Sequence, residues 1–206
     1  GLADGKTIGQ GLEEMDKIAA QTLDETFRTA LSGDSKDYRE SSSSLMFAFI
    51  LALILIYLIL AAQFESFKDP FIIMLTVPLA IAGALIFMYA GGITMNIFSQ
   101  IGIIMLIGLV AKNGILIVEF ANQKQEGGEN KMQAIRDAAL QRLRPILMTS
   151  ASTVLGLIPL AFATGEGANQ RIAMGTAVVG GMLVSTFLTM YIVPAIYSYI
   201  STNRNV

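Results

Sequence analysis

Five long runs of apolar residues divide this chain of 206 residues, and their length constrains its fold more than any other feature. A helix needs about 20 residues to cross a hydrocarbon core of about 30 Å. The runs, each close to that length or longer, are 45–62, 71–90, 97–120, 145–163 and 172–200. With 53% hydrophobic and 15% charged residues, the chain is too apolar for an ordinary soluble domain. The sequence therefore predicts an α-helical integral membrane bundle with five transmembrane helices.

Lysine and arginine are unevenly distributed among the connections between these runs. The connection 121–144 holds five of them: Lys124, Lys131, Arg136, Arg142 and Arg144. The connection 91–96 has none. Because cytoplasmic loops are rich in these residues, we expect 121–144 and the C-terminus to be cytoplasmic and residues 1–44 to lie on the outer side.

Residues 1–44 are polar enough to lie outside the membrane. Apolar residues recur at helical spacing over 7–23, and 26–31 could form a strand before a Ser-Gly-Asp-Ser turn. A segment of this size cannot bury a core of its own. We therefore expect a short, truncated α+β extramembrane segment that belongs to a larger domain.

The connection before the fourth run predicts a further helix at about 131–143, after a Gln-Glu-Gly-Gly-Glu-Asn turn signal. Its apolar residues share one helical face: Met132, Ile135, Ala139 and Leu143. With basic groups elsewhere, this pattern is typical of a helix in the membrane interface. The alternative is an ordinary solvated linker helix. Pro145 fits the first turn of the span that follows, where no amide donor is lost.

Lys112 interrupts the third apolar run. An ionisable group at bilayer depth costs about 2.5–3.5 kcal/mol on insertion scales, so a functional role is the default hypothesis. Gly108, one helical turn away, leaves room for a neighbouring helix to reach the ammonium. The side chain is either buried against a partner or extended toward the interface. No carboxylate lies centrally in the five runs, so an ionised partner at that depth is expected outside this chain.

The fourth run carries four hydroxyl residues: Thr149, Ser150, Ser152 and Thr153. Thr149 lies roughly 6 Å into this run, a depth comparable to that of Lys112 on the third run, so the two side chains could meet. Such hydroxyls also commonly bond carbonyls of their own helix. Glu119 and Arg142, near the cytoplasmic boundary, could belong to a proton exit route, although for Glu119 we favour a solvated charge.

Small residues recur at every fourth position of the last run: Ala173, Ala177, Gly181, Ser185 and Thr189. Such a ladder allows two membrane helices to approach closely, which predicts a compact bundle. The chain has no His and no Cys, so disulfides and a metal site are not expected. Without His and without a centrally placed Asp, it also lacks the residue sets of an intramembrane protease. We therefore expect neither an enzyme nor a nucleic-acid-binding protein.

Four motifs give the chain a specific resemblance. They are Glu-Ser-Ser-Ser-Ser-Leu at 40–45, Ala-Ala-Gln-Phe-Glu-Ser at 61–66, the stretch 102–120 with Gly-Leu-Val-Ala-Lys-Asn-Gly, and Arg-Leu-Arg-Pro-Ile-Leu-Met-Thr-Ser at 142–150. In these motifs the chain resembles the C-terminal part of resistance-nodulation-division (RND) efflux pumps, in particular the hydrophobic and amphiphilic drug branch. The resemblance covers essentially all residues.

The resemblance implies a homotrimeric pump of the bacterial inner membrane with twelve membrane helices per subunit, driven by the proton motive force without a cofactor. It implies a periplasmic adaptor protein, an outer-membrane channel and membrane lipid as partners. Residues 1–44 would end a periplasmic porter subdomain, and 45–206 would be transmembrane domain. The N-terminal half, which carries the family's proton-binding aspartates, would precede this chain.

The resemblance also assigns roles to single residues. Lys112 would face those aspartates, Thr149 would lie beside them, and Arg142 would lie toward the cytoplasmic end of the proton path. Beside these three, we expect Asn113 and Gly108, the neighbours of Lys112 in sequence and on its helix, to be supporting positions. Two alternatives remain open: a protein-export or lipid-exporting relative with the same membrane architecture, and, for the isolated fragment, a structural helix bundle that does not transport.

Overall fold

The structure, a computed structural model, describes residues 8–24, 26–165 and 167–202. Within these residues the chain forms seven helices and no β-strand. The helices are α1 (Ile8–Thr22), α2 (Asp34–Phe64), α3 (Lys68–Met74), α4 (Thr76–Ala90), α5 (Ile97–Glu126), α6 (Lys131–Ala161) and α7 (Ala168–Ile200). Five segments are long and apolar enough to cross a membrane, with α3 and α4 together forming the second. The predicted five-span helical bundle is confirmed.

The second span is broken at Leu75, which separates α3 from α4. Pro78, the third residue of α4, has no amide hydrogen and cannot bond the carbonyl of Met74 in the preceding turn. The Thr76 hydroxyl donates to the carbonyl of Ile73 at 2.7 Å and so satisfies one acceptor at the break. A break in a membrane span is tolerated where nearby groups satisfy the backbone in this way.

A short turn joins α5 to α6 and makes the two helices antiparallel neighbours. Helix α5 begins with a capping box in which Asn96 and Ser99 exchange side-chain and backbone hydrogen bonds at 2.9 Å. After α5, Gly128 adopts a φ of 92°, a conformation that glycine accepts without strain. The turn signal in this connection is therefore confirmed.

Helix α6 runs without interruption through Lys131–Ala161. The segment 131–143 and the fourth span are thus two parts of one helix, and Pro145 lies in its interior. Our placement of Pro145 in a first turn was wrong. Membrane helices tolerate an interior proline when neighbouring groups compensate for the lost bond, so the proline does not mark a helix start here.

Helix α7 lies at the centre of the bundle and packs against α4, α5 and α6. All five members of its small-residue ladder are buried, as predicted: Ala173, Ala177, Gly181, Ser185 and Thr189. Because these side chains are small, the backbones of neighbouring helices come close to α7. By contrast, the apolar side chains of α2 are largely exposed in this chain.

The N-terminal segment differs from the expectation. Residues 27–32 have no regular secondary structure, so the strand predicted at 26–31 is wrong. A strand needs a neighbouring strand for its hydrogen bonds, and the described residues contain none. Helix α1 is instead tied to α2 by an ion pair between Asp16 and Arg39.

Candidate functional site

A buried hydrogen-bonded group joins the three helices α5, α6 and α7 in the interior of the bundle. The Asn113 amide donates to the Ser150 hydroxyl at 3.2 Å, and the Thr186 hydroxyl donates to the same oxygen at 3.1 Å. All three side chains are at least 95% buried. Asn113 on α5 and Ser150 on α6 therefore face each other at one level of the bundle.

Lys112 and Thr149 directly precede this facing pair in the sequence. Successive residues of an α-helix are rotated by about 100°, so the residue before each inward-facing one points sideways. Because α5 and α6 are antiparallel, the two sideways directions coincide. Lys112 and Thr149 accordingly lie at the same level and on the same side of the helix pair, and both are exposed in this chain. We call this side the open face.

The open face is uncovered around Lys112. At Gly108, one turn away on α5, no heavy atom of the described residues beyond its own helix backbone lies within 4 Å of the position that a Cβ would take. Gly156 on α6 is equally unobstructed. Within the described residues, no hydrogen bond or ion pair reaches the Lys112 ammonium. The Lys112 side chain is thus accessible from outside the five-helix bundle.

The Thr149 hydroxyl donates to the carbonyl of Ile146 in its own helix at 3.1 Å. Thr153 does the same with the carbonyl of Thr149 at 2.8 Å. The predicted alternative, that these hydroxyls bond their own backbone, therefore holds in this structure. A hydroxyl that donates in this way still has lone pairs that can accept a further hydrogen bond.

A second charged level lies on the same open face, toward the turn between α5 and α6. Glu119 and Arg142 are each seven residues from Lys112 and Thr149, which corresponds to nearly two full turns and about 10 Å of rise. The Arg142 guanidinium carbon lies 4.5 Å from the centre of the Phe120 ring, within the range of a cation–π contact. The Arg142 Nε atom is buried and has no hydrogen-bond partner among the described residues.

A buried polar cluster at the end of the bundle where α3 begins and α7 ends was missed by the sequence reasoning. Its members are Asp69, Asn122, Gln125, Tyr197 and Ser201, and each is at least 95% buried. The Asp69 carboxylate accepts hydrogen bonds from the Asn122 amide and the Ser201 hydroxyl, both at 3.1 Å. The Lys131 ammonium donates to the Ser201 carbonyl at 2.7 Å. The cluster therefore connects α3, α5, α6 and the end of α7.

The remaining members complete this cluster through the tyrosine. The Gln125 amide donates to the Tyr197 hydroxyl at 2.7 Å, and that hydroxyl donates to the Asn122 side-chain oxygen. The sequence contained one local signal for Asp69, because it is an acidic residue directly before Pro70 at the start of a predicted helix. Its partners come from positions 53 and 132 residues further along the chain, so no local pattern predicts that they meet.

Replacing Asp69 with Ala should lower the free energy of unfolding of the full-length protein by about 1–3 kcal/mol, because the buried donors of Asn122 and Ser201 lose their acceptor. Thermal unfolding in detergent would measure this change. Asp137→Ala is the matched control, since Asp137 is a partly exposed carboxylate on α6. Equal shifts for both variants would contradict a stabilising role of the Asp69 cluster.

The described residues contain no group of three or more His, Cys, Asp or Glu side chains that could hold a metal ion. The groups on the open face are instead the Lys112 ammonium, the Thr149 hydroxyl at its level, and the Arg142 guanidinium about two turns away. Such groups can bind carboxylates and exchange hydrogen bonds with them.

Comparison with known proteins identifies the family. The model of the AcrB/AcrD/AcrF family matches residues 1–201. The chain belongs to this family. Its membership agrees with the resemblance to RND efflux pumps, and the five spans make it part of a membrane protein.

Individual relatives are similar over nearly the whole chain. An uncharacterized transporter of Haemophilus influenzae is 40% identical over 207 residues, which cover 97% of this chain and 20% of that protein. The toluene efflux pump membrane transporter TtgB of Pseudomonas putida is 38% identical over 200 residues, covering 97% of this chain and 19% of TtgB. The multidrug resistance protein MdtF of Escherichia coli is 39% identical over 196 residues, covering 95% of this chain and 19% of MdtF. The chain spans about a fifth of the length of these relatives.

Proposed function

We propose that this chain is the C-terminal membrane part of a proton-driven RND efflux transporter that exports drugs or other amphiphilic compounds. In this proposal the chain supplies the lysine side of the proton relay. The observation that carries it is the position of Lys112, which is exposed on the open face of α5 and α6 with no partner among the described residues. The chain belongs to a family that includes solvent and multidrug transporters, which supports export as the direction of transport and amphiphilic compounds as the substrate class.

The Lys112 ammonium needs a partner of opposite charge. A lone charge at bilayer depth is unfavourable, so the open face should be covered by a segment that carries carboxylates. The N-terminal part of the full-length protein is the proposed source of that segment. The uncovered position of Gly108 would allow close approach of its backbone.

The proposed relay alternates between two arrangements. While the carboxylates are ionised, they attract the Lys112 ammonium and hold the covering segment against α5. When a proton neutralises a carboxylate, this attraction weakens and the ammonium can turn toward another acceptor, for which Thr149 offers lone pairs. The packing of the helices then shifts between two states. Arg142, about two turns away, would hold a negative group on the path toward the cytoplasm.

The assembly and location follow from the same proposal. We propose a homotrimer in the bacterial inner membrane, working with a periplasmic adaptor protein and an outer-membrane channel. The N-terminal segment would be periplasmic and the C-terminus cytoplasmic, as the distribution of Lys and Arg favours. The transporter would use the proton motive force with no cofactor and would not be an enzyme.

The test uses the full-length protein, expressed in a bacterium that lacks its own pumps of this class. We expect lower accumulation of a fluorescent amphiphilic dye and higher tolerance of toluene than in cells without the protein. A protonophore should abolish the difference. Unchanged dye and toluene handling, together with a defect in protein or lipid export on deletion, would favour the export alternative instead.

The isolated chain should behave as a helix bundle that does not transport, because no carboxylate partner reaches Lys112 within the described residues. Dye uptake by vesicles that contain only this chain would measure this directly. Uptake driven by a proton gradient would contradict the proposed dependence on the preceding part of the protein.

A further inference from the structure

Ser150 is the centre of a hydrogen-bonded group that links three helices. Its hydroxyl oxygen accepts from Asn113 on α5 at 3.2 Å and from Thr186 on α7 at 3.1 Å. Ser185, the neighbouring residue on α7, is equally buried but donates to the carbonyl of Met182 in its own helix. The Ser150 group therefore differs from an ordinary buried hydroxyl because it joins helices to one another.

Such a group contributes little to stability in a membrane. Hydrogen bonds between membrane helices change an equilibrium only about threefold on average, and apolar side chains could fill the same space. Hydrogen bonds, however, require a defined direction between donor and acceptor, which apolar contacts do not. A buried polar group between helices is therefore suited to fixing their orientation, as a buried Asn does in coiled coils.

We propose that Asn113, Ser150 and Thr186 are positioning residues that fix the rotation of α5 and α6 about their own axes and thereby aim Lys112 and Thr149 at the open face. This inference rests on the proposed function, since it assigns these residues a role in the same proton relay. None of the three is exposed on the open face. They act through Lys112 and Thr149, the sequence neighbours of Asn113 and Ser150 that are exposed there.

The geometry makes the relay sensitive to this rotation. A helix rotation of about 20° moves a side-chain atom that lies about 5 Å from the axis by nearly 2 Å. Displacements of about 1 Å in a reacting group can lower a rate by about 100-fold. Thr186 on α7 anchors Ser150 to the central helix, so the loss of either hydrogen bond would remove one directional constraint on the rotation of α5 or α6.

The experiment compares four variants of the full-length protein: Ser150→Ala, Thr186→Val, Thr186→Ser and Ser185→Ala. Valine keeps the shape of threonine without its hydroxyl, whereas serine keeps the hydroxyl. Ser185→Ala is the matched control, because it removes a buried hydroxyl that donates to a carbonyl of its own helix. The maximal rate of proton-driven dye efflux and the half-saturating dye concentration are measured per assembled protein, with thermal unfolding in parallel.

We expect Ser150→Ala and Thr186→Val to lower the maximal rate at least about threefold, since Thr186→Val removes one interhelical hydrogen bond and Ser150→Ala removes two. The half-saturating dye concentration should stay unchanged, because dye binding does not involve these residues. Thr186→Ser and Ser185→Ala should retain the rate of the unaltered protein. If Ser150→Ala fails to assemble, the comparison of Thr186→Val with Thr186→Ser decides the question.

Two outcomes overturn the inference while leaving the proposed function intact. Thr186→Val could transport as fast as Thr186→Ser, or Ser185→Ala could lower the rate as much as Ser150→Ala. Both would mean that these hydroxyls only fill space. Failure of the proposed function is a separate result, since proton-driven efflux would then persist when Lys112 itself is replaced with Ala.

Discussion

Replacing Lys112 with Ala is expected to reduce proton-driven efflux by the full-length protein to the level of cells that lack it. Lys112 is exposed on the open face with no partner among the described residues. We therefore propose that its ammonium pairs with carboxylates elsewhere in the protein. Without the ammonium, those carboxylates lose the attraction that distinguishes the two helix arrangements. Dye accumulation at matched protein amounts, with trimer assembly confirmed, would measure the loss.

Two further variants separate charge from geometry. Lys112→Arg keeps the positive charge but replaces a compact ammonium with a planar guanidinium, so we expect it to restore efflux only in part. Lys68→Ala is the matched control, because Lys68 is an exposed lysine at the end of a span and should tolerate the change. Full efflux by Lys112→Ala would instead identify Lys112 as a lysine that extends to the interface, and the relay would have to be abandoned.

Replacing Gly175 with Ala should prevent normal packing of α7 against α6. A Cβ at this position would lie 2.6 Å from the backbone nitrogen of Ala161 and 2.8 Å from the carbonyl carbon of Leu160. Both contacts are with backbone, so no side chain can rotate away, and the two helices must separate. Overpacking of this kind lowers the free energy of unfolding by about 1–3 kcal/mol or more. Thermal unfolding and the yield of assembled full-length protein would report the effect.

Gly156→Ala is the control for this substitution. Gly156 is also a helical glycine, but among the described residues no heavy atom beyond its own helix backbone lies within 4 Å of its Cβ position. Alanine favours helix by about 1 kcal/mol relative to glycine, so in the isolated chain, where the proposed covering segment is absent, the variant should be at least as stable as the unaltered chain. Equal yields and midpoints for Gly175→Ala and Gly156→Ala would contradict the close approach of α6 and α7. A loss of stability that Gly156→Ala shows only in the full-length protein would agree with the proposed covering of the open face.

The spans were predictable because their signal is local. Apolar runs of membrane length predict helices without any knowledge of their neighbours, and the ladder from Ala173 to Thr189 indicated which face of α7 is buried. Pro145 and 26–31 show the limit of local reasoning. A proline is compatible with a first turn and with a helix interior, and a strand depends on partners that the sequence pattern does not reveal.

The candidate site was predictable in its residue types but not in its arrangement. Lys112 stands out because a charge in an apolar run is costly, and Thr149 could be matched to it by depth. The sequence left open whether Ser150 faces the bundle or its own backbone. It also did not indicate that Asp69 would meet Ser201, 132 residues later in the chain.

The sequence by itself determined the five membrane helices, the close-packing face of α7 and the unusual charge of Lys112, because each follows from hydropathy and spacing within one segment. The tertiary structure decided that Asn113, Ser150 and Thr186 meet, and that Lys112 and Thr149 consequently share the open face. The physical reason is that the rotation of a helix about its axis depends on contacts with other helices. A single segment carries the periodicity of its faces but not the identity of the helix that each face meets.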